Sequence, residues 1–193
     1  MERVLFSTGN ASKFKHATRV CAEYGITVIQ KTIGIDEIQG EDPPRVAKDK
    51  AHKAFAGVKK PVVVSDDSWA FLGLGGFPGV YMHSMNEWLK PEDFLRLTVP
   101  LKNRQVLLTQ YLVYQDDSRQ KIFKRQKKGV LLKEIRGTSV HASHTIIALD
   151  GEYGLSIAEF DASNHNISER QASLIWHDFG KWYSSYVNFD KNT

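Results

Sequence analysis

Two adjacent carboxylates in "PVVVSDDS", residues 61–68, are the first residues of this sequence that could do chemistry. The three valines predict a buried strand, and an unpaired carboxylate at its end would cost on the order of several kcal/mol to bury. A metal ion or another cationic partner is therefore expected beside Asp66 or Asp67. Because neighbouring strand residues point to opposite faces, both side chains can share one site only if the strand ends between them. A simple acidic turn is the alternative.

A second candidate is the segment "STGNASK", residues 7–13, which lies between a predicted strand and a predicted helix. Free backbone N–H groups at a helix N-terminus favour anions, and Lys13 would add a point charge for a phosphate. The segment lacks the GxxxxGK[ST] pattern, so it is not a P-loop. Taken alone, it could equally be a capped turn.

A third candidate is the acidic segment "IDEIQGED", residues 35–42. Mg²⁺ takes oxygen ligands and often uses one or two protein carboxylates beside substrate phosphates. The alternative is that these acids only favour the start of the following helix. Together, the three segments indicate a metal-assisted site that cleaves phosphate bonds. The four acids of the segment at residues 35–42 are Asp36, Glu37, Glu41 and Asp42.

Strands alternate with helices early in the chain, and a run of strands follows later. This order predicts an α/β fold with a mixed sheet, helices on its faces and one antiparallel extension. The predicted helices are residues 12–24 with Ser12 as N-cap, 43–58, a stretch from Pro91, and 168–187. The predicted strands lie within residues 3–9, 26–35, 61–67, 105–117, 119–135 and 144–154.

Composition excludes several classes of protein. The chain has 193 residues, a formal net charge of +4 and one cysteine, so it has no disulfide framework and a reducing, cytoplasmic setting is expected. It shows no signal peptide and no apolar run of membrane length. Residues 119–128 contain six basic residues. We interpret them as lysine protection of a sheet edge, with nucleic-acid binding as the alternative that salt-sensitive binding would support.

Four segments together resemble the inosine triphosphate pyrophosphatases. "STGNASK" resembles the family's T-G-N-x-x-K, and "DEIQGE" resembles E-x-Q-G-E. "PVVVSDDSWAFLGLGGFPGVY" resembles a strand with E/D-D-[ST] followed by L-G-G-x-P-G-x-Y, and "NISERQA" resembles [AV]-S-H-R-x-x-A.

This resemblance implies one domain over residues 1–193, with an elongated mixed sheet, flanking helices and two lobes around a central cleft. It also implies a homodimer that hydrolyses a nucleoside triphosphate to the monophosphate and pyrophosphate with Mg²⁺. No membrane or nucleic-acid partner is implied.

The resemblance also assigns roles to residues. Asp66 would be the catalytic carboxylate, and a one-residue slip of the alignment would give that role to Asp67. Glu37 and Asp66 would bind the metal. The implied substrate-binding residues are Thr8, Gly9, Asn10, Lys13, Lys50, Ser68, Ser143, His144, Ser168, Glu169 and Arg170.

The departures from the family pattern concern mainly the base. "HASHT", residues 141–145, replaces F-G-[WY]-D-P, so that Ser143 takes the place of the stacking aromatic and His144 that of the aspartate. Ser65 and Glu169 replace an acidic residue and a histidine. We therefore expect altered base recognition, with ITP, dITP and XTP as leading substrates. The alternative is a nucleotide-binding or regulatory protein without catalysis. If residues 141–145 form a strand, His141 and His144 lie on opposite faces and share no ion.

Overall fold

The computed structural model describes residues 2–38, 40–163 and 174–190. The chain divides into two compact units. The first comprises Met1–Asp66, Gln110–Arg125 and Ser168–Thr193, and the second comprises Asp67–Thr109 and Gln126–Ile167.

Helices and strands alternate through the first third of the chain, as predicted. The helices are α1 (Ala11–Ala22), α2 (Pro43–Val58), α3 (Met82–Trp88), α4 (Pro91–Thr98), α5 (Ile157–Ala162) and α6 (Leu174–Asp190). The strands are β1 (Glu2–Ser7), β2 (Ile26–Gln30), β3 (Val62–Phe71), β4 (Pro78–Gly79), β5 (Gln105–Gln115), β6 (Gln120–Leu131) and β7 (Ile147–Leu149). Short 3₁₀ helices cover Leu72–Leu74 and Ala142–Thr145. In the described part of the chain, no helix is long and apolar enough to cross a membrane.

The strands form one mixed sheet in the order β2-β1-β3-β5-β6-β7, with β4 paired to β3. β1 is parallel to both β2 and β3, whereas β7 is antiparallel to β6. The predicted α/β class with a mixed, helix-flanked sheet is therefore confirmed. The predicted β5–β6 pair around the turn that starts at Asp116 is also present.

Strand β3 is covered on both faces, as its continuous apolar run predicted. Val63 packs in a cluster with residues of α1 and α6, whereas Val62 and Val64 pack in a cluster with the alanines of α2. All three valines are completely buried. The last residue of β1, Ser7, pairs with Val64, so β3 extends beyond β1 from residue 65 onward.

The start of α1 differs from the prediction. Asn10, not Ser12, is the N-cap, and its side chain accepts a hydrogen bond from the Lys13 N–H. Asn is among the best N-cap residues, and here it precedes Ser12 in the chain. Ser12 lies in the first turn, where its carbonyl oxygen is 2.9 Å from Nδ1 of His16.

Two short helices, α3 and α5, were not predicted. The strand predicted within residues 144–154 begins only at Ile147, and a 3₁₀ helix over Ala142–Thr145 precedes it. Helices of six or seven residues carry too few turns for apolar periodicity to reveal them.

The glycine-rich turn after β3 needs glycine for its backbone conformation. Gly75 and Gly76 have φ values of +65° and +98°, and the space around their missing Cβ atoms is open. Since side chains rarely tolerate such φ values, conformation rather than space explains these glycines.

Asp116 is a buried carboxylate that connects the β5–β6 turn to α6. It accepts hydrogen bonds from the Tyr114 hydroxyl at 2.7 Å and the Tyr186 hydroxyl at 2.9 Å. The backbone N–H groups of Ser118 and Arg119 donate to its other oxygen. Burial raises the pKa of Asp116, but these four donors outweigh it and the net shift is downward.

We predict that Asp116→Asn lowers the free energy of unfolding by about 1–3 kcal/mol at pH 7, because it replaces an ionised acceptor with an amide. A folded pKa below the unfolded value stabilises the protein above the unfolded pKa. That stabilisation disappears as the pH falls through the folded pKa. The difference between wild type and variant, measured by urea unfolding, should therefore shrink below about pH 4.

The neighbouring exposed Asp117 offers a matched control, and Asp117→Asn should leave stability within about 0.5 kcal/mol of wild type. An Asp116→Asn difference that stays constant from pH 7 to pH 3 would contradict the assigned role of the ionised carboxylate.

Candidate active site

The turn between β1 and α1 is held by its own side chains. Thr8 Oγ1 accepts from the Asn10 N–H at 3.1 Å, and Asn10 Oδ1 accepts from the Lys13 N–H at 3.0 Å. Gln30 donates to the Thr8 carbonyl at 3.0 Å. Gly9 and Asn10 are exposed. The structure therefore presents the N-terminus of α1, with its partial positive charge, at the protein surface as an anion site requires.

Glu37 and Lys50 form an ion pair, with Lys50 Nζ 2.7 Å from Glu37 Oε1. Lys53, one turn further along α2, donates to the Asp36 carbonyl at 2.6 Å and lies 2.9 Å from Asp49. Lys53 thus holds the acidic segment against α2, and Lys50 contacts Glu37 beside it. The structure therefore brings together two residues, Glu37 and Lys50, that the sequence placed at metal and phosphate.

Asp66 and Asp67 lie in the middle of β3, because the strand continues to Phe71. Their side chains therefore point to opposite faces of the sheet. Asp66 lies two and four residues after Val64 and Val62, so its side chain is on the same face of β3 as those valines, which face α2. Of the two carboxylates, Asp66 is the one on the side of α2 and of the Glu37–Lys50 pair.

The electrostatics at Tyr111 agree with this orientation. Burial raises the pKa of Tyr111, and the charges of Asp42 and Asp66 raise it further. Tyr111 packs in the same cluster as the alanines of α2. The negative charges of Asp42 and Asp66 therefore both act on a residue on the α2 side of the sheet.

The donor set on this side fits a hard divalent cation. Within the described ranges, no group of three or more His, Cys, Asp or Glu side chains is arranged to hold a metal. Mg²⁺ does not require one, since it binds through one or two carboxylates plus water and phosphate oxygens. Glu37 and Asp66 supply carboxylates, and the Glu37 side chain is 41% exposed.

The cysteine is not a candidate nucleophile. Burial raises the pKa of the Cys21 thiol to about 12, so it is protonated at neutral pH.

In the second unit, residues 141–145, which the family resemblance aligns with a base-recognition motif, include a 3₁₀ helix over Ala142–Thr145. The ring centroids of His141 and His144 lie 4.9 Å apart, so the prediction that they face apart was wrong. Ser143 is 1% exposed, and its hydroxyl has no hydrogen-bond partner among the described residues. Its N–H donates to the Asn86 side chain at 2.9 Å. Sequence reasoning missed Asn86, which no motif marks.

Arg136 holds this segment and α5 in place. Its N–H donates to the Thr145 carbonyl at 2.9 Å, and its guanidinium donates to Glu159 at 3.2 Å and to the Gly154 carbonyl at 3.0 Å. Hydrogen bonds from the Ser156 N–H and from Arg136 lower the pKa of Glu159. Ser156 in turn donates to the Arg136 carbonyl at 2.8 Å.

Two of the six basic residues at 119–128, Arg125 and Lys127, form ion pairs in the structure. Arg125 makes a bidentate pair with Asp178, with both contacts at 2.6 Å. Lys127 lies 2.6 Å from Glu152 in a pair that is more than nine-tenths buried. β7 pairs only with residues 129–131 of β6. A lysine-rich stretch of β6 beyond its pairing with β7 agrees with lysine protection of a sheet edge.

The remaining sequence-predicted residues are placed as follows. Ser68 is buried in β3. Ser168, Glu169 and Arg170 lie outside the described residues.

Comparison with known proteins decides the family. The family model described as Ham1 family matches residues 4–175. The chain belongs to the Ham1 family. The resemblance seen in the sequence is thereby confirmed.

Members similar to this chain include two archaeal proteins named dITP/XTP pyrophosphatase. The one from Methanopyrus kandleri is 28% identical over 187 residues, which cover 96% of this chain and 98% of the relative. The one from Methanosarcina acetivorans is 26% identical over 188 residues, which cover 96% of this chain and 99% of the relative. The similarity thus extends over nearly the whole of each chain.

Solved structures of Ham1 proteins share the fold. The HAM1 protein of Coxiella burnetii superposes with a TM-score of 0.74 at 16% identity, over 97% of this chain and 99% of the other. The Staphylococcus aureus Ham1 protein superposes with a TM-score of 0.68 at 15% identity, over 98% of this chain and 100% of the other.

Asn10→Asp separates anion binding from capping at the start of α1. Asp and Asn cap helices about equally well, so the urea midpoint should not change. The added negative charge should weaken binding of inorganic triphosphate about tenfold or more, as measured by calorimetry at low salt. Asn10→Ser keeps a cap without the charge and serves as control. Equal affinities for Asn10→Asp and Asn10→Ser would contradict an anion site at this turn.

Proposed function

We propose that this Ham1-family protein is a nucleoside triphosphate pyrophosphatase, which hydrolyses its substrate to the monophosphate and pyrophosphate with Mg²⁺. The observation that carries the proposal is that Asp66 lies on the same face of β3 as Val62 and Val64, the face towards α2, whose Lys50 pairs with Glu37. The names of the curated relatives support deaminated purine nucleotides as substrates. A cytoplasmic homodimer is part of the same proposal, on the basis of the family resemblance.

The roles of the residues follow from their chemistry. Asn10 and Lys13, at the start of α1, bind triphosphate oxygens, and Lys50 adds a further positive charge. Glu37 and Asp66 would hold Mg²⁺, which supplies charge neutralisation of the phosphates when bound. Asp66 orients the attacking water and accepts its proton.

The base is read by a rewritten segment in this proposal. Ser143 and His144 take the positions of an aromatic ring and a carboxylate, so the stacking and the carboxylate acceptor of the family pattern are replaced by a hydroxyl and an imidazole. The unpartnered Ser143 hydroxyl supports a polar contact to the base, because buried hydroxyls normally have a partner. We therefore propose that the preference among deaminated purine triphosphates differs from that of the relatives.

The function is tested by incubating common and deaminated nucleoside triphosphates with the protein and Mg²⁺ and measuring pyrophosphate. We predict release from at least one deaminated purine triphosphate. Asp66→Asn should lower kcat by about 10²–10⁴, because a carboxylate that acts in proton transfer is lost. Asp67→Asn, with its side chain on the other face of β3, should have the smaller effect.

Tight nucleotide binding without turnover on any triphosphate would favour the binding-protein alternative. A larger loss of kcat for Asp67→Asn than for Asp66→Asn would contradict the assignment.

Ser143→Ala tests base recognition separately from stability. Removing a buried hydroxyl without a described partner should leave the free energy of unfolding unchanged or raise it by about 1 kcal/mol. If the hydroxyl contacts the base, the ratio of kcat/KM values between ITP and XTP should change severalfold. Thr145→Ser, which keeps a hydroxyl that donates to the Ala142 carbonyl, is the control. An unchanged ratio in Ser143→Ala would remove Ser143 from the base site.

A further inference from the structure

The Glu37–Lys50 ion pair joins a residue proposed for the metal with one proposed for phosphate. Lys50 Nζ lies 2.7 Å from Glu37 Oε1, and the two side chains are 18% and 41% exposed. The carboxylate is therefore open to solvent, whereas the lysine is mostly buried beside it. In this arrangement each charge neutralises the other.

Attachment of the acidic segment to α2 does not depend on this pair. Lys53 already donates to the Asp36 carbonyl at 2.6 Å, and Ile33 and Ile35 pack in the cluster that contains the alanines of α2. A partly exposed ion pair adds little stability by itself. Attachment of the segment therefore does not require Lys50 to stay against Glu37, and the pair can open without unfolding this part of the chain.

We propose that Glu37 and Lys50 form an exchange pair: Lys50 occupies the Glu37 carboxylate in the free protein and leaves it when a divalent cation binds there. An ammonium group at 2.7 Å repels a second cation at the same oxygen, so the two compete. Once displaced, Lys50 is a mostly buried cation without its counter-charge. The proposal rests on the proposed function, in which a triphosphate is the anion that takes the place of Glu37.

The consequence is positive coupling between metal and triphosphate. Binding of a cation at Glu37 frees Lys50 for phosphate, and binding of phosphate at Lys50 frees Glu37 for the cation. Because such coupling is reciprocal, each ligand must raise the affinity of the other by the same factor. Either ligand alone must break the pair and binds weakly.

The test measures binding without turnover. Mn²⁺ binding to the nucleotide-free protein is followed by electron paramagnetic resonance, and ITP binding is followed by calorimetry in EDTA. Lys50→Met should bind Mn²⁺ about tenfold more tightly than wild type and ITP about tenfold more weakly. Glu37→Gln should lose Mn²⁺ binding and yet bind ITP severalfold more tightly in EDTA, since Lys50 is no longer neutralised.

Two substitutions control for general electrostatics. Lys48→Met removes a positive charge from the exposed side of α2, and Asp117→Asn removes a negative charge from the exposed β5–β6 turn. Both should change either affinity by less than about twofold. Unfolding curves of all four variants show whether the protein remains folded.

The signs of the changes decide the outcome. If Lys50→Met leaves Mn²⁺ affinity unchanged or lowers it, or if Glu37→Gln weakens ITP binding in EDTA, the exchange pair is wrong. Pyrophosphate release by wild type is measured separately. A protein that shows both predicted sign changes but no turnover would refute the proposed function and leave the exchange pair supported.

Discussion

Packing of β3 on both faces is the constraint on which the arrangement of charges depends. Val62, Val63 and Val64 are fully buried between helices on the two sides of the sheet, so this part of the strand has no room for a charged side chain. β1 ends opposite Val64, and residues 65–67 beyond it are only partly buried. The carboxylates therefore occur at the first residues of β3 that are partly exposed to solvent. Strand alternation then gives each face one of them.

Electrostatic balance on the α2 side follows from that placement. Asp42 and Asp66 act on the buried Tyr111, and Lys50 lies against Glu37 on the same side of the sheet. Negative charges concentrated in this way are costly unless cations approach them. The lysines of α2 supply part of that balance. A divalent cation would supply the rest, which is why the donor set fits one although its carboxylates are not preassembled into a cluster.

Local sequence was sufficient to predict much of the fold, including the turn before α1 and the whole of α2. The residues of α2 were predicted without error, because proline at its start and apolar spacing along it are signals within one segment. The Asn10 turn was recognised as a turn, but the cap was assigned to Ser12, since both residues are acceptable caps and sequence does not show which one the backbone selects. The choice between Asp66 and Asp67 depended on where β3 ends. The strand ends four residues beyond Asp67, and that end is set by pairing with β4.

Residues 141–145 could not be predicted for a different reason. Their conformation depends on Asn86, which accepts from the Ser143 N–H, and on Arg136, whose N–H donates to the Thr145 carbonyl. The first of these partners is more than fifty residues away in the chain. Two histidines three residues apart are separated on a strand but adjacent on a 3₁₀ helix. The fold of this segment therefore decides whether the His141 and His144 rings lie next to each other. Turns and caps are encoded within a short segment, whereas the conformation of residues 141–145 depends on a contact with a residue that is distant in the chain.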